Sequence, residues 1–398
     1  MVFKILLTLL LGLAIGIITG ILPGIHINLL SVLLLSISSF LLLHFQPLTL
    51  AVLIISIAIT HIFIDILPST FLGIPNEDYA LASLPAHRLL LQGHAYQAVI
   101  LTSLGALSSI LLFSLTSPLI IPLIKAIYPI LKAFIPYLLI LASLFLILRE
   151  NQKFLALIIF ALSGSLGLAA LNLPINQPLL PLLSGLFGSS ILLLSIRNNP
   201  VIPPQKINPP EISKKAFITA SLSAYLVSLL TGFLPAITSS QSAVIALSFF
   251  KNLKHETFLL VSGFTSSAFA ILSLIALFSI AKARAGFIVA VSRLLQEITI
   301  YHLSIFIAVS LISSSLALIA TILLAKKFSK IITKLNYRLI CILTLLFLTT
   351  LVIIISKESG LLLFITSASL GTFTQLKNIS KTHLMGSLLV PTILFFLI

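Results

Sequence analysis

The sequence predicts an all-α polytopic membrane protein, two repeats with broken or re-entrant helices and roughly 10–14 membrane segments. Composition is the first reason: 59% of residues are hydrophobic and 8% charged, with a mean hydropathy of +1.25, whereas soluble domains carry about 25% charged residues. The second is spacing. No Asp, Glu, Lys or Arg occurs between Lys4 and Asp65, Arg88 and Lys125, Lys153 and Arg197, or Lys215 and Lys251, and each gap exceeds the ~20 apolar residues that cross the hydrocarbon core. The third is recurrence: Thr19-Gly-Ile-Leu-Pro23-Gly24 returns as Thr231-Gly-Phe-Leu-Pro235-Ala236, and Arg88-Leu-Leu as Arg293-Leu-Leu. Repeated Gly/Pro interruptions in two halves point to a transporter binding site.

From the N-terminus, Lys4 and the leucines after it imitate a signal peptide, but the apolar run passes Gly24 without a cleavage site and reads as a retained first span. Further apolar runs follow near 25–43, 47–67, 96–116, 119–148, 152–172 and 177–196. Residues 1–196 form the first half. The stretch 197–214, with five prolines, can be neither helix interior nor span and reads as a cytoplasmic linker. The second half, 215–398, has runs near 216–234, 237–250, 257–281, 301–325, 339–356, 360–376 and 382–398, with a short, re-entrant-type stretch at 285–300.

The net charge of +15 does not imply a nucleic-acid partner, because the basic residues fall in short gaps between apolar runs. Arg149 and Lys153, the group Arg197 to Lys215, and the group Lys326 to Arg338 mark cytoplasmic loops of a multi-pass cell-membrane protein. The single cysteine, Cys341, excludes an intrachain disulfide and a thiolate metal site.

The candidate chemistry sits at the breaks. Pro23 and Gly24 interrupt a helix at membrane depth, where irregular backbone is tolerated only against protein or a wet cavity. A half-helix restarting after Gly24 aims its amide groups at that cavity, which suits an anion, and His26 and Asn28 add polar side chains. The alternative for these two is a hydrogen bond to a neighbouring helix. In the second half Thr238, Ser239, Ser240 and Gln241 follow Pro235 and read as substrate-binding, with helix packing as the alternative. His61 and Asp65, four apart on one helix face, read as coupling residues together with Glu77 and Asp78. Pro75 and Asn76 join the substrate site; Glu77 and Asp78 at a membrane surface would merely be solvated. Arg284, with Lys282, is a candidate anion ligand or a cytoplasmic anchor, and Arg293 with Glu297 is expected to form a local ion pair. Nucleotide-loop, zinc-helix and Cys-x-x-Cys motifs are absent from the sequence, so no enzyme, metal or cofactor is expected.

With these residues in view, the chain resembles the TctA-type permease family, the large membrane subunit of tripartite tricarboxylate transporters, and its shorter archaeal-type relatives in particular. The matching strings are Gly20–Asn28, Phe71–Ala80 with Leu90–Ala95, Lys282–Gly286 and Lys381–Gly386. Where the family has Pro-Gly, this chain has Pro75-Asn76 and Pro235-Ala236. The resemblance implies proton- or sodium-coupled uptake of organic acids, with a small membrane subunit and an extracytoplasmic binding protein as partners. A cation-coupled transporter of a small organic anion is thus the expected function. A carrier of lipid phosphate such as polyprenyl phosphate, and an intramembrane enzyme using His61, Asp65 and Glu77 as acid and base, are the alternatives.

Overall fold

The computed structural model describes all residues except 1, 23–33, 35–37, 44, 72–82, 199–201, 235–238, 248–254, 296 and 335. The described residues form helices joined by short turns and, at 202–213, by an irregular connector, with no strand among them. The first half gives α1 (Val2–Ile21), α2 (Pro47–Ile64), α3 (Ile66–Phe71), α4 (Ser83–Leu91), α5 (Ala95–Leu148), α6 (Lys153–Asn172), α7 (Leu179–Leu183) and α8 (Ser190–Asn198). The second half gives α9 (Lys214–Thr231), α10 (Ser239–Leu247), α11 (His255–Ile280), α12 (Gly286–Leu294), α13 (Ile300–Ile331), α14 (Tyr337–Leu376) and α15 (Gly386–Leu397). Among them eight stretches are long and apolar enough to cross a membrane, and Ala133–Leu148 and Lys381–Leu397 are shorter apolar helices.

Several expected boundaries differ. The runs near 96–116 and 119–148 are one 54-residue helix, α5, which passes through Pro118, Pro122, Pro129 and Pro136. At ~1.5 Å per residue it exceeds the bilayer thickness, so it joins two regions. Ile110, Phe113 and Ile124 belong to one apolar core, and Ile135, Leu139 and Ile147 to another. The two runs in α14 stay distinct because Lys357 leaves the helix at φ 57°, ψ −156°. Each part then has about the length of one span. A π-helical turn at Ser184–Ser189 joins α7 to α8. α12 ends at Leu294, so Arg293 and Glu297 do not share the helical spacing that an ion pair between them needs.

Burial separates inner from outer helices. The apolar window of Pro47–Phe71 is 100% buried and that of Glu256–Ile280 is 89% buried, against 28–67% for the other six. α2 and α11 are therefore shielded from lipid by their neighbours. Those neighbours are arranged twice over: α1 packs on α2 as α9 packs on α11, α13 on α2 as α5 on α11, α12 on α2 as α4 on α11, and α1 on α13 as α9 on α5. Each inner helix thus lies against the long helix of the other half.

Small residues set the spacing of these pairs. A Cβ at Gly12 would lie 2.6 Å from Cβ of Ser56, one at Gly16 2.6 Å from Cβ of Thr60, and one at Gly20 2.8 Å from Cβ of Ile64. These contacts advance together, so α1 and α2 run parallel, and the chain enters α2 on the side where α1 began. α9 carries a matching stripe, Ala220, Ala224, Ser228 and Gly232, all buried. The Pro-rich connector is docked rather than loose. The Gln205 side chain accepts from the Ala95 amide at 3.0 Å and donates to Leu90 O at 3.0 Å, and the Lys206 amide donates to Gly93 O at 2.8 Å. Gly93, at φ 82°, lies where a Cβ would meet Pro204 O at 2.9 Å.

Candidate functional site

The close α1–α2 contact brings Thr19, at the end of α1, onto His61. The Thr19 hydroxyl donates to Ile15 O at 3.0 Å and lies 3.2 Å from His61 Nδ1. His61 is 1% exposed and Asp65 7%. Asp65 closes α2, its amide donating to His61 O at 2.9 Å, and its carbonyl accepts from Ser69 as α3 begins. One helix turn therefore holds His61 and Asp65 inside the protein, beside buried Thr60, Ser69 and Thr70.

The second half repeats the theme with hydroxyls. Thr231, equivalent to Thr19 in the repeated string, donates to Val227 O at 2.8 Å and lies 2.7 Å from the Ser242 hydroxyl. Ser239, Gln241 and Ser242, in the first turn of α10, are almost completely buried. Ser240 lies in the same turn. Gly232 stands against Leu272 of α11, where a Cβ would lie 2.4 Å from its Cδ1.

Arg284 arrives at this break from the segment joining α11 to α12. Its Nη2 donates to Leu234 O, and its guanidinium lies over the Phe269 ring, 5.6 Å from the centroid. Nη1 is buried with no acceptor among the described residues. Lys282, two residues earlier, is exposed. Of the two basic residues, Arg284 is the one turned into the protein. The next element, α12, packs on α2, so the segment carrying Arg284 links the second-half break to the helix that holds His61 and Asp65.

The structure thus gathers Thr19, His61 and Asp65 in one group and Thr231, Ser239, Gln241, Ser242 and Arg284 in another. Pro23, Gly24, His26, Asn28, Pro75, Asn76, Glu77, Asp78 and Thr238 lie outside the described residues, and so does the expected meeting of the two breaks. Thr19 and Thr231 did not stand out as site residues in the sequence; their signal was the threonine shared by the two repeated strings. A separate cavity of about 280 Å³ lies where the end of α5 meets α10, lined by Arg149, Glu150, Leu247, Phe258, Thr382 and His383 among others. There Glu150 pairs with His383 Nε2 at 3.1 Å.

Comparison with known proteins bears on this arrangement. Residues 6–386 match the model of the tripartite tricarboxylate transporter TctA family. An uncharacterized protein of Methanocaldococcus jannaschii is 31% identical over 354 residues, covering 86% of this chain and 88% of its own length. No solved structure matches the chain. With a family match over nearly its whole length and eight helices able to span a membrane, the chain belongs to the tripartite tricarboxylate transporter TctA family and is a multi-pass membrane permease.

Proposed function

We propose that this permease is a secondary transporter that uses a proton or sodium gradient to carry a small organic anion, a carboxylate, across the cell membrane. The observation that carries the reading is the pair of inner helices: shielded from lipid, α2 holds His61 and ends on Asp65, ionisable groups that are costly at membrane depth without a use, while α11 carries buried Ser and Thr hydroxyls. The two sides of the site then differ in role. His61 and Asp65, with Glu77 and Asp78, handle the coupling cation, while Pro23, Gly24, His26, Asn28, Pro75, Asn76, Thr238, Ser239, Ser240, Gln241 and Arg284 hold the anion. The first turn of α10 presents backbone amides at its N-terminus, and Arg284 adds a fixed positive charge from the neighbouring segment. The division into related halves, 1–196 and 215–398 about the 197–214 linker, belongs to the same proposal and draws support from the duplicated helix pairings. A small membrane subunit and an extracytoplasmic binding protein are the proposed partners. The family match favours this reading over a lipid-phosphate carrier or an intramembrane enzyme.

Arg284→Lys tests the anion side. The substitution keeps the charge but loses the planar fork that can hold Leu234 O and a carboxylate together. Citrate affinity of the purified protein is expected to fall about tenfold, the loss of one charge-assisted hydrogen bond. Wild-type affinity for citrate, or stabilisation by amines in place of carboxylates, would contradict the reading.

A further inference from the structure

The 3-10 turn Lys381–Met385 lies between α14 and α15, outside the eight spans. Its first side chain is enclosed: Lys381 is 2% exposed and its Nζ has no acceptor among the described residues. Taking an ammonium out of water costs several kcal/mol unless a counter-charge or hydrogen-bond acceptors replace the water. The described groups around the turn do not supply them. α5, α6, α14 and α15 pack on it. Glu150, just after α5, already accepts from the Ser380 amide at 3.2 Å and holds His383 Nε2. Arg149 lies over Phe145, Lys377 lies over Phe373, and Lys153 is exposed. α15 carries no titratable side chain.

A further described neighbour is His87 of α4. Burial, and secondarily the Lys381 charge, push His87 down to about 4, so its ring carries no positive charge at neutral pH. Burial pushes Lys381 itself down to about 7. The charged form of this lysine is therefore poorly supported by the protein alone, and an anion placed against it would restore that form. The same turn is fixed by close backbone packing: the Ser163 hydroxyl donates to His383 O at 3.0 Å, and a Cβ at Gly386 would lie 2.4 Å from Phe160 O. The backbone that carries Lys381 is thereby held in place.

We propose that Lys381 forms an anion subsite of the permease, its buried ammonium receiving one carboxylate of the transported acid. The assignment rests on the carboxylate reading above and adds to it a residue from a turn distant in sequence from both helix breaks. In this proposal Lys381 binds the substrate directly, since no described residue accepts from its ammonium.

Citrate is the probe, titrated by calorimetry and by thermal shift onto the purified full-length protein at pH 7. Wild type is expected to be stabilised by citrate through mass action. Lys381→Met, which keeps side-chain length and removes the charge, is expected to bind citrate at least tenfold more weakly, yet to melt no lower than wild type when citrate is absent. Lys381→Arg is expected to keep binding within about tenfold. Unchanged citrate affinity in Lys381→Met would overturn the Lys381 assignment and leave the carboxylate reading standing. A lower melting temperature of Lys381→Met without ligand would also overturn it, by marking the lysine as structural. If wild type bound no citrate, the carboxylate reading would fail and the subsite with it.

Discussion

His61 and Asp65 are four residues apart, and the shared helix face predicted from that spacing is where the structure has them, buried on α2 with His61 turned to Thr19. A carboxyl group kept inside a helix that touches no lipid is costly without a use. Asp65→Asn removes the ionisable group at nearly constant shape. Proton- or sodium-driven citrate uptake is expected to be lost while citrate binding stays within about threefold, a change under 1 kcal/mol. Unchanged driven uptake would mark Asp65 as structural. The sequence offered Arg284, with Lys282, as an anion ligand or a cytoplasmic anchor, and the structure turns its guanidinium inward onto Leu234 O. Lys381 entered the sequence reading only within the string Lys381–Gly386, without a role of its own, because Lys377-Asn-Ile-Ser-Lys-Thr382 has the composition of a solvated turn. Only packing by four helices reveals that the side chain is enclosed. Thr19 was hidden for another reason: a hydroxyl bonded to the carbonyl four residues back looks like any threonine of a membrane helix.

At the scale of elements, apolar run length located most helices to within a few residues, as with 152–172 against Lys153–Asn172 and 257–281 against His255–Ile280. It failed at α5, where prolines suggested a boundary. A proline in a membrane helix removes one hydrogen bond, and neighbouring helices can absorb the loss without the helix ending. Close helix approach was also unreadable, since a glycine in an apolar run does not announce its partner. Gly263 shows how tight that approach is. A Cβ there would lie 1.8 Å from Thr102 O, so α11 and α5 would have to separate. Gly263→Ala is expected to destabilise the protein by about 1–3 kcal/mol or more through overpacking. Gly188, whose added Cβ would meet nothing nearer than Leu348 Cδ1 at 3.7 Å, provides the control. Thermal melting of the two alanine variants in one detergent checks this, and equal melting temperatures would show that the α5–α11 contact yields easily.

For the whole molecule, the duplicated pairings mean that neither inner helix is completed by its own half: α2 needs α13, and α11 needs α5. The connector, read from its prolines as a linker, adds a tie by bonding Gln205 and Lys206 to the start of α5 and the turn before it. Such an arrangement encloses polar side chains of both halves away from lipid, which a carrier of a charged solute requires. In the proposed function this enclosed site moves a carboxylate at the expense of a cation gradient. Uptake of radiolabelled citrate into proteoliposomes holding the purified chain, together with the proposed small membrane subunit and binding protein, measures this directly. Accumulation above the external concentration is expected when an inward proton or sodium gradient is imposed, and its collapse is expected when an ionophore removes that gradient. Citrate entry that is the same with and without either gradient, or no entry at all, would contradict the account.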